Sequence, residues 1–149
     1  MTTNLGYFHR DDATFAPVGS ASLSLTILSA SLSANVSLNN TANYFDGPSV
    51  AQGTSGTWLV MGTVSVQDTT GGTAQLFAKL WDGTTVIATC TFATFDGAAD
   101  GFATLAGFIT SPAGNLKISV RDTTSTNGLI LANGTGTGKD STITAIRIG

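Results

Sequence analysis

The chain has 149 residues, a length that fits one domain, and only 10% of them are charged, for a net charge of −3. Its six basic residues (Arg10, Lys79, Lys117, Arg121, Lys139 and Arg147) are scattered along an acidic sequence, which excludes a phosphate-backbone binder built on clustered Lys and Arg. Glutamate is absent, while Thr, Ser and Gly fill 25, 14 and 18 positions, a composition that starves helices and predicts an all-β chain.

Residues 1–20 stand apart from the rest. They hold Tyr7, Phe8 and Phe15 among mixed charges, show no period, and close on Pro17 and Gly19. They are expected to form an extended arm whose aromatics dock on another surface, with 21–149 as the folded domain. From Ala21 the apolar residues recur every second position. Leu23, Leu25 and Ile27 are odd, then Leu28, Ala30, Leu32, Ala34, Val36 and Leu38 are even. A shift of one residue turns every side chain to the other face, so the Ile27-Leu28 step predicts a bulge or a crossing between sheets.

Asn39, Asn40 and Asn43 are expected to lead into a loop containing Asp46-Gly47-Pro48. The clearest strand follows, with Trp58, Val60, Gly62, Val64 and Val66 on one face and Thr57, Leu59, Met61, Thr63 and Ser65 on the other. Ala74 to Trp81 and Thr84 to Phe92 are strands joined at Asp82-Gly83, a dipeptide that favours a tight type I′ hairpin. Further strands are expected at Phe102 to Thr110, Leu116 to Arg121, Leu129 to Leu131 and Ser141 to Ile148. About eight antiparallel strands with regular turns predict a β-sandwich or jelly roll.

Three segments carry a family resemblance: Gly56 to Val64, the hairpin Ala78 to Thr84, and the closing strand Thr142 to Gly149. Over about 100 residues, Asp46 to Gly149, the chain resembles the jelly-roll heads of the tumour necrosis factor and complement type. Within that group it is similar to the versions in phage virion proteins. The resemblance implies a homotrimer, with odd-phase residues such as Leu59 and Met61, or the apolar residues opposite Lys117 and Arg121, at the subunit interface. It implies a structural virion protein assembled in a host cytoplasm. The expected role is a capsid decoration (cement) protein, or alternatively a short fibre tip recognising a host glycan; Tyr7, Phe8 and Phe15, in the arm outside the match, are expected from their aromatic character to dock on the major capsid protein. No collagen-like or coiled-coil stalk is expected beside the domain.

The residues themselves support no enzyme. His9 is the sole histidine and lies in the arm, so a His-based triad has no material. Cys90 is the sole cysteine and alternates with Ala88 and Phe92, the pattern of a core residue. Gly134 to Lys139 lacks the spacing of a phosphate loop and precedes a strand, so it reads as a connection. Asp96 and Asp100 offer too few oxygens for a calcium site alone. Trp58 and Trp81 both read as core or interface residues beside Val and Leu. No catalytic residue, cofactor or metal is expected. No apolar run reaches the ~18 residues of a spanning helix, so no membrane is expected, and residues 1–10 lack the basic and apolar regions of a secretory leader.

Overall fold

The computed structural model describes residues 25–95 and 100–149; Tyr7, Phe8, His9, Phe15 and the rest of the arm lie outside them. The described residues form ten strands and no helix: β1 (Ile27–Ser31), β2 (Val36–Leu38), β3 (Phe45–Val50), β4 (Thr57–Asp68), β5 (Ala74–Trp81), β6 (Val86–Thr94), β7 (Gly101–Thr110), β8 (Leu116–Asp122), β9 (Gly128–Ile130) and β10 (Thr142–Arg147). All pairings are antiparallel.

In the first sheet β4 is central. β7 runs along one flank, and β10 followed by β9 runs along the other, with β1 outside β10 and β2 outside β9. The second sheet has the order β3-β8-β5-β6. Only β5 and β6 pair as sequence neighbours. Elsewhere the chain crosses repeatedly between the two sheets, as a jelly roll does. The even-phase residues of β4 and the inward residues of its neighbour β10 face the second sheet, and Trp58, Val64, Leu76, Leu80, Ile118 and Ile143 are all buried between the two. Trp58 Nε1 donates to the Ser55 carbonyl at 3.0 Å, so its one polar atom is satisfied inside the core.

The all-β jelly-roll expectation holds, with three differences in detail. No bulge occurs at Ile27-Leu28: β1 starts at Ile27 and pairs with β10 without interruption, Leu28 and Ala30 packing on the core. The even-phase run instead breaks after Ser31 and resumes as β2, each piece pairing a different partner. Asp46-Gly47-Pro48 is part of a strand. β3 is the edge of its sheet, and the register shifts between Asp46 and Ser49, a place where Pro can lack its N–H without breaking the ladder. Gly47 is required there, since a Cβ would lie 2.9 Å from the Ile118 carbonyl oxygen.

The β5–β6 hairpin is wider than a two-residue turn. Asp82 Oδ1 accepts the backbone N–H groups of Thr84 and Thr85, at 2.8 and 2.6 Å, and Oδ2 accepts that of Ala113 at 2.7 Å. Only Gly83 takes the left-handed conformation, with φ +95°. The carboxylate thus builds the loop and ties it to the β7–β8 connection.

Candidate functional site

Alternation gives each sheet an outer face, and the two faces differ in chemistry. On the first sheet, cross-strand rows align Ile27, Ile146, Leu59 and Phe108, then Ser29, Thr144, Met61 and Ala106, then Ser31, Thr142, Thr63 and Thr104. Not one of these side chains is charged. Phe102 is 71% exposed and Phe108 64% exposed, with Ile27 and Met61 also open to solvent. The hydroxyls partly satisfy each other across strands, at 2.9 Å for Ser29–Thr144 and 3.0 Å for both Thr57–Thr110 and Thr63–Thr104. An apolar patch ruled with self-paired threonines is cheap to dehydrate.

Leu59 and Met61, expected at a subunit interface, therefore sit side by side on an uncharged outer face. The other expected interface, the apolar residues opposite Lys117 and Arg121, is a correction. Ile118 and Val120 are fully buried in the core. Their neighbours in β8 point outward, and the inner side of that strand is closed by β4.

The outer face of the second sheet gathers what the sequence scatters. β5 presents Phe77, Lys79 and Trp81, and these stand opposite Arg121, Ser119 and Lys117 of β8. Asp46 of β3 stands opposite Ser119 from the other side, with Tyr44 just before it. Lys79 Nζ lies 3.2 Å from the Trp81 ring centroid and 4.3 Å from that of Tyr44. The Arg121 guanidinium lies 5.2 Å from the Tyr44 ring and 5.2 Å from the Phe77 ring. Such cation–ring contacts hold long side chains in place.

A polar relay runs through the middle. Trp81 Nε1 donates to Ser119 Oγ at 2.7 Å, Ser119 donates to Asp46 Oδ1 at 2.7 Å, and Lys117 Nζ donates to Asp46 Oδ2 at 2.6 Å. The Lys117–Asp46 contact is the one ion pair among the described residues. Three cations thus face one carboxylate. Burial holds Lys79 below its usual value against the pull of Asp46. The two tryptophans, read alike in the sequence, separate here: Trp58 is core and Trp81 belongs to this outer cluster.

The remaining buried carboxylates serve loops. Asp68 accepts Thr70 N–H at 2.6 Å and Ser125 Oγ at 2.7 Å, while Asp122 Oδ1 accepts Thr124 N–H at 2.8 Å and Ser125 N–H at 3.1 Å. Asp122 Oδ2 is buried without a partner beside Asp68. Burial, then the Asp68 carboxyl, raises Asp122 above the usual range. At Asp68, burial is outweighed by hydrogen bonds, first that from Asp122, and the value falls. A proton on Asp122 would let it donate to Asp68 and satisfy both groups. Asp140 caps the Gly134–Lys139 connection through Thr135, which precedes a strand as expected. Cys90 packs against the core. Asp96 lies outside the described residues, and among the described residues no three metal-binding side chains converge.

No family profile matches the chain, and no curated protein matches it. Among solved structures it is similar to a chain of the T13 viral particle of IBDV, with a TM-score of 0.51 and 10% identity. That likeness covers 84% of this chain and 31% of the other, so the chain spans under a third of its length. It is also similar to the Eiger TNF of S. frugiperda, at TM-score 0.49 and 12% identity over 83% of this chain and 93% of that one. The vertex protein P5 of PRD1 aligns at TM-score 0.39 and 18% identity, over 83% of this chain and 96% of that one. At these identities the likeness is one of fold, the jelly roll.

Proposed function

We propose that the protein is a non-enzymatic structural component of a tailed-phage virion, a capsid decoration protein that works as a homotrimer. The observation that carries this reading is the outer face of the first sheet, whose rows around Leu59 and Met61 hold no charged residue and are flanked by exposed Phe102 and Phe108, with Lys139 reaching the face only at Ser31 on its edge strand. A large apolar face rimmed by hydroxyls is costly to leave in water and suits permanent burial against other copies. The jelly-roll fold, found in viral shells as well as in TNF, is compatible with it. The arm residues Tyr7, Phe8 and Phe15 are proposed to anchor the trimer on the major capsid protein. A second reading, a fibre tip for a host glycan, is favoured by the cation–aromatic face of the second sheet, which trimerisation through the first sheet leaves outward.

Light scattering tests assembly: the expected mass is about three times 15.1 kDa, and a monodisperse monomer at micromolar concentration overturns the trimer. A mass-resolved protein profile of the particle separates the two roles. A copy number comparable with that of the shell protein supports decoration, and a handful per particle supports the fibre.

A further inference from the structure

We propose that the outer face of the second sheet is a binding site for a carboxylate-bearing polysaccharide, with Lys79, Lys117 and Arg121 as its cationic contacts. The inference rests on the recognition reading above and names the class of glycan.

Charge balance is the first argument. The chain is acidic, yet this face holds three of its six basic residues against Asp46 alone. Asp46 has both oxygens engaged, by Ser119 and Lys117. Arg121 pairs with no carboxylate among the described residues, and its Nε is buried without an acceptor. A guanidinium fork matches a carboxylate in shape as well as charge. Packing alone does not explain the cluster, because apolar side chains of similar volume would stabilise the sheet at least as well as desolvated cations.

Preorganisation is the second. Lys79 is clamped between Tyr44 and Trp81, Arg121 between Tyr44 and Phe77, and Lys117 is pinned by Asp46. Less rotamer freedom is then lost when a ligand arrives. Lys117 and Arg121, four residues apart on β8, lie about 13 Å from each other with Lys79 between them on the neighbouring strand. The spread suits an extended polyanion better than a single small anion.

The type of ligand follows from what else is exposed. Thr89 and Thr91 of β6 stand opposite Lys79 and Phe77 with exposed side chains, which adds hydroxyl groups beside the cations. The ring of Trp81 is already covered by Lys79, so stacking of a neutral sugar is not the mode this face offers. A peptide would find its main-chain partners at the sheet edges, β3 and β6, and not on this face. Hydroxyls plus fixed cations match a sugar that carries carboxylates.

Affinity electrophoresis of the full chain in gels containing polygalacturonate, dextran or polyglutamate tests the proposal, at about 150 mM salt where the screening length is ~8 Å. Retardation by polygalacturonate is expected, weakened at least ~10-fold in Lys79→Met and in Arg121→Met, and unchanged in Lys139→Met, an exposed lysine elsewhere. Thermal melts accompany each variant, and Arg121→Lys should recover part of the binding if it melts like the parent. Equal loss in Lys139→Met, equal retention by polyglutamate, or no retention by polygalacturonate overturns the inference. Retention by dextran alone overturns it while leaving glycan recognition standing. A shell-like copy number removes the recognition reading whatever polygalacturonate does.

Discussion

The two outer faces are made by one rule and differ in chemistry. Each is the outward phase of strands whose other phase fills the core, yet the central rows of one are Ile, Leu, Phe, Met and Thr without a charge, and the other holds Lys, Arg, Trp and Tyr. The first loses little when water leaves, so it suits a contact that never opens. The second has cations whose desolvation is expensive, and it stays wet unless an anion replaces the water. Under the proposed roles, a sandwich with such faces would separate holding together from holding on to something else.

The largest perturbation strikes what the two faces share. Trp58 is 2% exposed and lies between the sheets with Val60 and Val64. Trp58→Ala should cost ~3–5 kcal/mol through lost burial and a cavity, enough to unfold a marginal domain and erase both faces together. Denaturant titration reads it, and a loss below about 1 kcal/mol would mean the sheets do not depend on that contact.

A change confined to the first face should separate assembly from folding. Met61 lies beside Ala106 and Thr144 on that face. Met61→Glu should leave the isolated fold within about 1 kcal/mol of the parent, since the site is open to water. In a trimer it would bury charge at each copy, which costs several kcal/mol without a partner. Light scattering should then return a monomer with parental circular dichroism, and the melting temperature should lose its dependence on concentration. A Met61→Glu trimer would move the interface elsewhere.

A smaller effect, away from both faces, concerns the Asp68–Asp122 pair and the proton that the two carboxyls would share. Asp122 is raised from 3.8 in the folded state, so the stability from its protonation is full below that value and is lost as pH rises through the folded value. Asp68 is lowered, so its contribution is lost as pH falls through its own folded value. Asp122→Asn places a permanent donor where the shared proton sits and keeps an acceptor for Thr124 and Ser125. The variant should match or exceed the parent at neutral and alkaline pH by ~1–3 kcal/mol. Melts from acid to alkaline pH read it, and parallel parent and variant curves would remove the shared proton.

The core was legible because burial obeys alternation: Trp58 to Val66 and Ala74 to Trp81 read directly as half-buried strands. β3 was hidden by Asp46-Gly47-Pro48, residues of turn chemistry that an edge strand with a bulge accommodates. Leu59 and Met61 were visible as the phase opposite the core, and they lie on the outer face of the first sheet, where the subunit contact is a proposal. The cation cluster could not be read at all. Lys79 and Lys117 are 38 positions apart, and only the pairing of β5 with β8 brings their side chains to one face. Alternation tells which side a residue faces, while the order of strands decides who stands beside it. The signal available was that Lys79 and Trp81 share the outward phase of β5, and Lys117 and Arg121 that of β8.

The smallest expected effect sharpens the contrast between the faces most. If the cluster on the second sheet existed for stability, removing Lys79 would hurt the fold. Its stem packs between Tyr44 and Trp81, and Met preserves that volume while deleting the charge. The charge itself is disfavoured by burial, and its folded value lies below 10.5. For such a base the unfolded chain holds the proton more tightly, so the parent gains stability as pH rises from the lowered folded value toward 10.5. Loss of two cation–ring contacts works in the other direction, at ~0.5–1 kcal/mol each for exposed sites. The opposing terms should leave Lys79→Met within about 1 kcal/mol of the parent at neutral pH, with a flatter profile above it. Denaturant titration at neutral and alkaline pH reads both quantities. A loss of several kcal/mol would make Lys79 a structural element of the sheet, and the face would then owe its cations to folding instead of to a ligand.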